Sequence, residues 1–588
     1  MSTKNIVLCS DGTGNKGGYG SDSNVYKTYK AVDVTSGNAH QYTFYDQGVG
    51  TDKSDTSKNK YWTAMSGAFG FGFRDNVLHL YHFLARSYKP GDKIFLFGFS
   101  RGAATVRAFA GFLNACGLVD IRHAQGPSGF DSDRFEDLVN QAFACYRSKD
   151  TAKQQAFKDQ YALAGDGYAP GGNLAIHFIG VWDTVSALGF PKDFSWALEY
   201  FFGALDKFTD QFPKLAHNFY DFKLNNSIQN AYHALSIDDE RQTFHPLVWD
   251  ERHFNNTVEQ VWFAGVHSNV GGGYPRTGMS DVALVWMLEK AMAHGLIVYD
   301  DVLTSYRESA NVYDKLYDSR DGIGLYYRYG PRNLRALSLD PDTGELMLKG
   351  NIAVHFSAYR KLKEFSEGYA PDGMPARFDV VDVVDASGQL QRFTTDALEN
   401  HAKPQHENKP DWPKLEVAGN KIIQSRKYLY RAFVEITMLI IIVAGVFWKN
   451  PPESVIALND CEATHVQIAR IHIESGNPTC DKASLAGNDY FSIMQKVLDV
   501  PDSVQYQACG DESEPKFCAA ATNRPLRLLG DLIRYVTPVY FENFITYVIE
   551  VHPWISVLML AILLAMRETR KRLINKLDKI CRQMTDLL

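Results

Sequence analysis

The chain is poor in cysteine, with eight in 588 residues. Cys9, Cys116, Cys145 and Cys581 stand far apart, with no metal-ligand spacing, so no metal site and no cofactor is expected. Positive charge is not in excess either: 61 Lys and Arg face 68 Asp and Glu, a net charge of −7. With no basic arm and no basic–aromatic interleaving, nucleic acid is not an expected partner. Internal repeats and low-complexity runs are missing, which excludes repeat architectures. Met1 to Ser10 has no long apolar run, so no secretory signal peptide is read there. Asp11-Gly12-Thr13-Gly14-Asn15 is glycine-rich but lacks the lysine of a Walker loop.

The most informative segment is Lys93-Ile94-Phe95-Leu96-Phe97-Gly98-Phe99-Ser100-Arg101-Gly102-Ala103-Ala104. A short apolar strand ends in Gly-Phe-Ser-Arg-Gly, and a helix-compatible stretch follows. This is the strand–tight turn–helix setting of a nucleophile elbow, with Ser100 at the bend. Glycines two positions away on each side let the strained turn pass its neighbours, and Ala103 and Ala104 let the helix pack closely.

Serine at neutral pH needs a histidine base and a carboxylate to orient that base. Two later strand ends offer them in the chain order serine, acid, histidine. The strand predicted over Ala175 to Val181 runs into Trp182-Asp183-Thr184, which places Asp183 at a carboxyl end. The strand predicted over Glu259 to Val266 runs into His267-Ser268-Asn269-Val270-Gly271-Gly272-Gly273-Tyr274. Asp239 and Asp281 are alternative acids, and His233 and His245 are competing bases. For the oxyanion, the backbone N–H of Arg101 is one donor, and the loop at Gly12 and Thr13 is placed to supply the second.

Strand–helix alternation over the first three hundred residues predicts an α/β fold: a mainly parallel sheet covered by helices on both faces. Strands are expected at Asn5 to Cys9, Gln41 to Tyr45 and Phe378 to Val384, and helices at Asn76 to Tyr88 and Asp281 to His294. The hydrolase domain is read as 1–300. It carries a polar helical insertion at about 122–173 and an aromatic one at about 190–230, the latter either a lid or a helical cap. Residues 301–410 read as an accessory region on the hydrolase, and 411–427 as a linker.

Two apolar stretches lie near the C-terminus. Residues 428–448 and 545–566 are read as transmembrane helices, separated by the segment 449–544 and followed by a basic tail, 567–588. Lys421, Arg426, Lys427 and Arg431 precede the first stretch, and Arg567, Arg570, Lys571 and Arg572 follow the second. The charge rule then puts both outer flanks on the cytoplasmic side. Cys461, Cys480, Cys509 and Cys518 all fall between the stretches, as expected for two disulfides in an exported segment. The expected location is a membrane.

Taken together, Cys9-Ser10-Asp11-Gly12-Thr13-Gly14-Asn15, Gly98-Phe99-Ser100-Arg101-Gly102-Ala103, Gly180-Val181-Trp182-Asp183-Thr184-Val185 and Gly265-Val266-His267 through Tyr274 resemble the successive blocks of the type VI secretion phospholipase effectors of the Tle1-like (DUF2235) group. Asp238-Asp239-Glu240-Arg241 resembles a further, weaker block. The resemblance covers roughly residues 4 to 300. It implies an α/β-hydrolase-like fold, a Ser100–His267–Asp183 triad and deacylation of membrane phospholipid. It also implies a secretion spike protein and a cognate immunity protein as partners, and either residence in a bacterial inner membrane or injection into a target cell's envelope. Two other readings stay open: a membrane-anchored, non-catalytic lipid- or protein-binding module, and a tethered esterase acting on soluble esters.

Overall fold

The computed structural model describes residues 3–35, 40–48, 72–127, 129–163, 168–169, 173–185, 222–321, 327–364, 366–384, 389–395, 412–449 and 542–585. The aromatic insertion expected at 190–230 lies mostly outside these residues. So do Cys461, Cys480, Cys509 and Cys518, with the disulfides expected of them.

The strands that build the sheet are β1 (Asn5–Ser10), β2 (Gln41–Asp46), β3 (Lys93–Phe99), β4 (Phe178–Trp182), β5 (Asn230–Ser236), β6 (Thr257–Phe263), β7 (Ala353–His355), β8 (Asp379–Val384) and β9 (Leu390–Thr394). They form one nine-stranded sheet in the order β9-β8-β7-β6-β5-β4-β3-β1-β2. Every neighbouring pair is parallel except β8 and β9. Parallel strands need crossovers, and the helices supply them. These are α1 (Asn24–Ala31), α2 (Phe73–Ser87), α3 (Arg101–Cys116), α4 (Ser132–Ser148), α5 (Thr151–Tyr161), α6 (His267–Gly271), α7 (Gly278–Ala293), α8 (Asp300–Ser309) and α9 (Phe356–Lys363).

Side chains alternate across the pleat. In β3, Ile94 and Leu96 enter the core shared with α2, α3 and α4, alongside Leu80, Phe109 and Phe135. Phe95 and Phe97 point to the opposite face, where Trp182, Leu284 and Met287 lie. Both faces are therefore covered, and the strands read as near-continuous apolar runs rather than alternating ones. The helical insertion at 122–173 contains α4 and α5. Both start on aspartate caps: Asp131 accepts from the N–H groups of Asp133 and Arg134, and Asp150 from those of Ala152 and Lys153.

One central strand was not expected. Asn-Ala-Tyr-His-Ala-Leu-Ser forms β5, buried along its whole length. It lies between β4, which ends at the candidate acid, and β6, which precedes the candidate base. The segment after residue 300 continues the same sheet: β7 pairs with β6, and β8 with β7.

The chain divides into two compact units, residues 1–430 with 573–588, and residues 431–572. The first contains the sheet. The second is entered along α10 (Trp412–Lys449) and left along α11 (Pro553–Thr585). Within it, Ala444, Phe544, Ile545, Val548 and Ile549 form a small core.

The two transmembrane helices expected here are not supported. Among the described residues no helix is long and apolar enough to cross a membrane. The stretch 545–566 is not one helix: a π-helical turn covers Thr546–Val551, His552 leaves helical geometry, and α11 starts afresh at Pro553. Its apolar run, broken only by Ser556, is Trp554 to Met566, and Arg567 follows. The stretch 428–448 includes Arg431 and Glu435, and positions 438, 442, 445 and 448 lie outside the described side chains.

Candidate active site

Ser100 sits between β3 and α3 with φ 58° and ψ −122°. Positive φ in a non-glycine residue is strained and persists only where its surroundings impose it. The two glycines around it show the constraint. A Cβ on Gly98 would lie 2.6 Å from the Gly102 carbonyl oxygen, and one on Gly102 would lie 2.1 Å from that of Ser10. A larger residue at Gly98 would push α3 off the turn, and one at Gly102 would force the elbow away from β1. Ser100 itself is buried, and its N–H donates to the Trp182 carbonyl at 3.1 Å.

Asp183 leaves β4 with φ 41°. Its N–H donates to Ala234 of β5, which holds the turn. His267 begins α6, so the glycine-rich segment expected as a loop starts with a short helix. The two side chains meet: His267 Nδ1 lies 2.5 Å from Asp183 Oδ2. His267 Nε2 is buried and has no hydrogen-bond partner among the described residues. The imidazole packs against Phe99 with the rings tilted and their centroids 4.6 Å apart. A Cβ on Gly271 would lie 2.0 Å from the Phe99 ring. Phe99, the residue before the nucleophile, is thus clamped between the base and the glycines that follow it.

Electrostatics separates the two partners. Burial alone would push the Asp183 carboxyl up, but the Arg332 guanidinium beside it and bonds from His267 and Arg332 hold it well below the usual carboxylate range. Burial pulls His267 below its ordinary value, with Asp183 opposing. At neutral pH this pairs an ionised acid with a neutral imidazole, the protonation state a general base requires.

The Asp11 loop reaches the nucleophile directly. A Cβ on Gly12 would lie 3.1 Å from Ser100 Cβ. Asp11 is buried and organises the loop, accepting from Gly12 N–H at 2.7 Å, Ser23 Oγ at 2.5 Å, Tyr45 Oη at 2.7 Å and Asn15 Nδ2 at 3.2 Å. The Gly12 N–H is therefore committed to Asp11. The Arg101 N–H, at the first position of α3, lies outside the intrahelical ladder.

The competing residues sit elsewhere. His233 Nε2 accepts from Thr184 N–H at 3.2 Å and its Nδ1 faces Gln260. Burial and the nearby Arg107 take it down to about 3. His245 Nε2 bonds the Gly330 carbonyl. Asp281 pairs with Lys27 at 2.5 Å and accepts from Thr277 and Ser309. Asp239 comes closer: it accepts the backbone N–H of His267 at 3.2 Å while Arg241 grips both its oxygens. Among the described residues no group of three or more His, Cys, Asp or Glu is arranged to hold a metal ion.

One contributor was missed entirely. Arg332 is fully buried and grips both carboxylate oxygens of Asp183, at 2.6 and 2.8 Å. A lone arginine in a loop-rich stretch, 149 residues from its partner, carries no local signal.

With serine, histidine and aspartate gathered at the carboxyl ends of β3, β4 and β6, comparison with known proteins becomes informative. Residues 4–290 match the profile of the family described as type VI secretion system phospholipase effector Tle1-like, catalytic domain. Over that segment the chain is similar to this family. The matched region thus covers strands β1 to β6 and runs from α1 into α7, and it ends before β7 and Arg332. An uncharacterized protein of Saccharomyces cerevisiae, YEL023C, is 26% identical over 265 residues, covering 42% of this chain and 33% of that protein. The chain therefore matches about a third of that relative's length. Two solved structures are similar in part. An uncharacterized protein from Pseudomonas aeruginosa has TM-score 0.29 and 19% identity, covering 52% of this chain and 49% of that one. The Tle1 effector bound to the VgrG spike has TM-score 0.24 and 19% identity, covering 47% and 52%.

Proposed function

We propose that this protein is a serine phospholipase of the A type, releasing fatty acid from the acyl esters of membrane phospholipid. The observation that carries the reading is the 2.5 Å contact of His267 Nδ1 with Asp183 Oδ2, with Nε2 left open, in a domain of the phospholipase-effector family. In this mechanism His267 Nε2 takes the proton of Ser100 as Oγ attacks the ester carbonyl. The imidazolium then returns the proton to the leaving alcohol, and water, activated the same way, releases the acid. Asp183 fixes the tautomer and balances the imidazolium charge. The N–H groups of Arg101 and Thr13 are assigned to the oxyanion, because Gly12 N–H is already held by Asp11.

The unit of residues 431–572 is assigned to the lipid surface. Leu439, Val446, Val557, Leu558, Leu560 and Leu564 are exposed there, each by half or more, and an apolar surface of that kind calls for a partner. A spike protein that carries the effector and an immunity protein that neutralises it are the macromolecular partners the family implies.

The test is fatty-acid release from phosphatidylglycerol liposomes by the whole protein and by Ser100→Ala. Release should vanish in the variant, together with fluorophosphonate labelling. Undiminished release from the variant would defeat the triad. Labelling without release from liposomes, but with turnover of monomeric esters, would favour a soluble substrate. No labelling at all would favour a binding module.

A further inference from the structure

Arg332 lies beyond the family-matched residues 4–290, in a segment whose sequence suggests no role. Its surroundings are those of a built site. Nη1 donates to Asp183 Oδ1, to the Ser236 carbonyl and to Ser236 Oγ, each at 2.6 Å. Nη2 donates to Asp183 Oδ2 at 2.8 Å and to the Phe244 carbonyl at 2.5 Å. Arginine and aspartate side chains are both fully buried. The backbone at Arg332 is fixed from both sides. Gly330 N–H donates to Glu240 and Leu334 N–H to Gly373, and a Cβ on Gly373 would lie 1.6 Å from the Arg332 carbonyl oxygen.

A triad carboxylate must stay ionised out of contact with water, and it must keep one oxygen aimed at the imidazole. Besides the His267 bond, Asp183 accepts from the Ser236 N–H at 2.9 Å and from Ser236 Oγ at 3.3 Å. The planar guanidinium supplies the rest. Two parallel bonds set the plane of the carboxylate, and its charge offsets the desolvation of a buried anion.

We infer that Arg332 is a positioning residue of the catalytic triad, acting through Asp183, so that the catalytic unit extends past the family-matched domain into the segment that carries β7 to β9. This rests on the triad reading above. Arg332 and His267 face Asp183, with His233 behind the turn, and the charge of Arg332 also acts on Asp238, Asp239 and His245. Asp239 and Arg241 flank His267. Without the guanidinium, the Asp183 carboxyl rises and a positive charge that opposes a second one on the nearby His267 imidazole is gone, so the acid limb of the rate profile moves to higher pH.

The experiment is a double-mutant cycle on the whole protein, with Arg332→Met, Asp183→Asn and both together. Its readouts are kcat/KM against pH on a water-soluble ester and the rate of fluorophosphonate labelling. Arg332→Met alone should lower kcat/KM at pH 7 about a hundredfold, near the upper end of coupling within one buried hydrogen-bond network, and shift the acid limb upward. In the Asp183→Asn background the same change should add less than about threefold, because its effect runs through the carboxylate. Losses that multiply, or an acid limb that stays in place in a folded Arg332→Met protein, would overturn the inference. Should Arg332→Met fail to fold, Arg332→Lys serves instead. It keeps the charge without the fork, so the limb should hold, the rate should fall about tenfold, and that loss should disappear in the Asp183→Asn background. A loss that persists there overturns the inference. Failure of the triad reading is distinguishable, since the unaltered protein would then take no fluorophosphonate at Ser100.

Discussion

Two adjacent strand ends, those of β4 and β5, each carry a fully buried aspartate beside His267, and each aspartate is gripped by an arginine. Asp183 is held by Arg332 from far along the chain, and Asp239 by Arg241 two residues away. Asp183 touches the imidazole Nδ1, whereas Asp239 touches only the backbone N–H of the same histidine. The difference comes from the backbone. Asp183 turns at once out of β4 with positive φ. Asp239 follows two further residues, Ile237 and Asp238, whose N–H groups still pair with Phe263 at the end of β6 and with Gly265 just past it. A carboxylate that leaves its strand immediately can reach a ring; one that stays paired to the next strand reaches the main chain. Similar charge and similar burial therefore leave one group bonded to the imidazole and the other bonded to the main chain where α6 begins.

Asp183→Asn should have the largest effect. An amide cannot both accept from Nδ1 and balance an imidazolium, and kcat should fall about 10⁴-fold, measured on a soluble ester under saturating conditions. Asp239→Asn should lower kcat/KM only about tenfold while destabilising the fold by about 3 kcal/mol, because Arg241 loses its buried partner. Urea denaturation beside kinetics reads both numbers. Equal kinetic losses in the two variants would erase the distinction drawn here.

A subtler separation comes from pH. Burial puts His267 below its ordinary value of 6.5, and the base works only when neutral, so the acid limb of kcat/KM should lie below pH 6.5. Asp239 raises the histidine and Arg241 lowers it. Removing the Asp239 charge should therefore move the limb further toward acid, the opposite of the shift expected when Arg332 is lost. Asp281→Asn should affect catalysis least, keeping kcat/KM within about twofold, yet the thermal transition should fall, since Lys27 is left buried without its counter-ion. A large kinetic defect there would return Asp281 to the list of acids.

How far these features were legible depended on whether their signal was local. Ser100 and His267 stand where apolar strands run into glycine-rich segments, and Asp183 follows an apolar strand directly. That combination of pattern and punctuation is visible in a dozen residues. β5 escaped because Ala231, Ala234 and Ser236 offer little apolar bulk to mark a strand, although neighbours on both sides bury them. Arg332 escaped because what makes it informative is a carboxylate 149 residues earlier. The reading of 428–448 and 545–566 as spans is unsupported among the described residues, and for 545–566 a related reason is visible. Average hydropathy does not register the break at His552 and Pro553, nor the fact that the same helix carries on through Arg567 to Thr585.

The chain leaves its first unit after Tyr430 and re-enters it at Leu573. Leu577 and Cys581 are then buried, and Cys581 Sγ lies 3.3 Å from an Asp372 carboxylate oxygen. Topologically the second unit is a loop closed at both ends rather than a tail. A single proteolytic cut between residues 450 and 541 should thus leave one particle, with the terminal fragment retained by its buried side chains. Size-exclusion chromatography of the nicked protein would show the two pieces eluting together until denaturant is added.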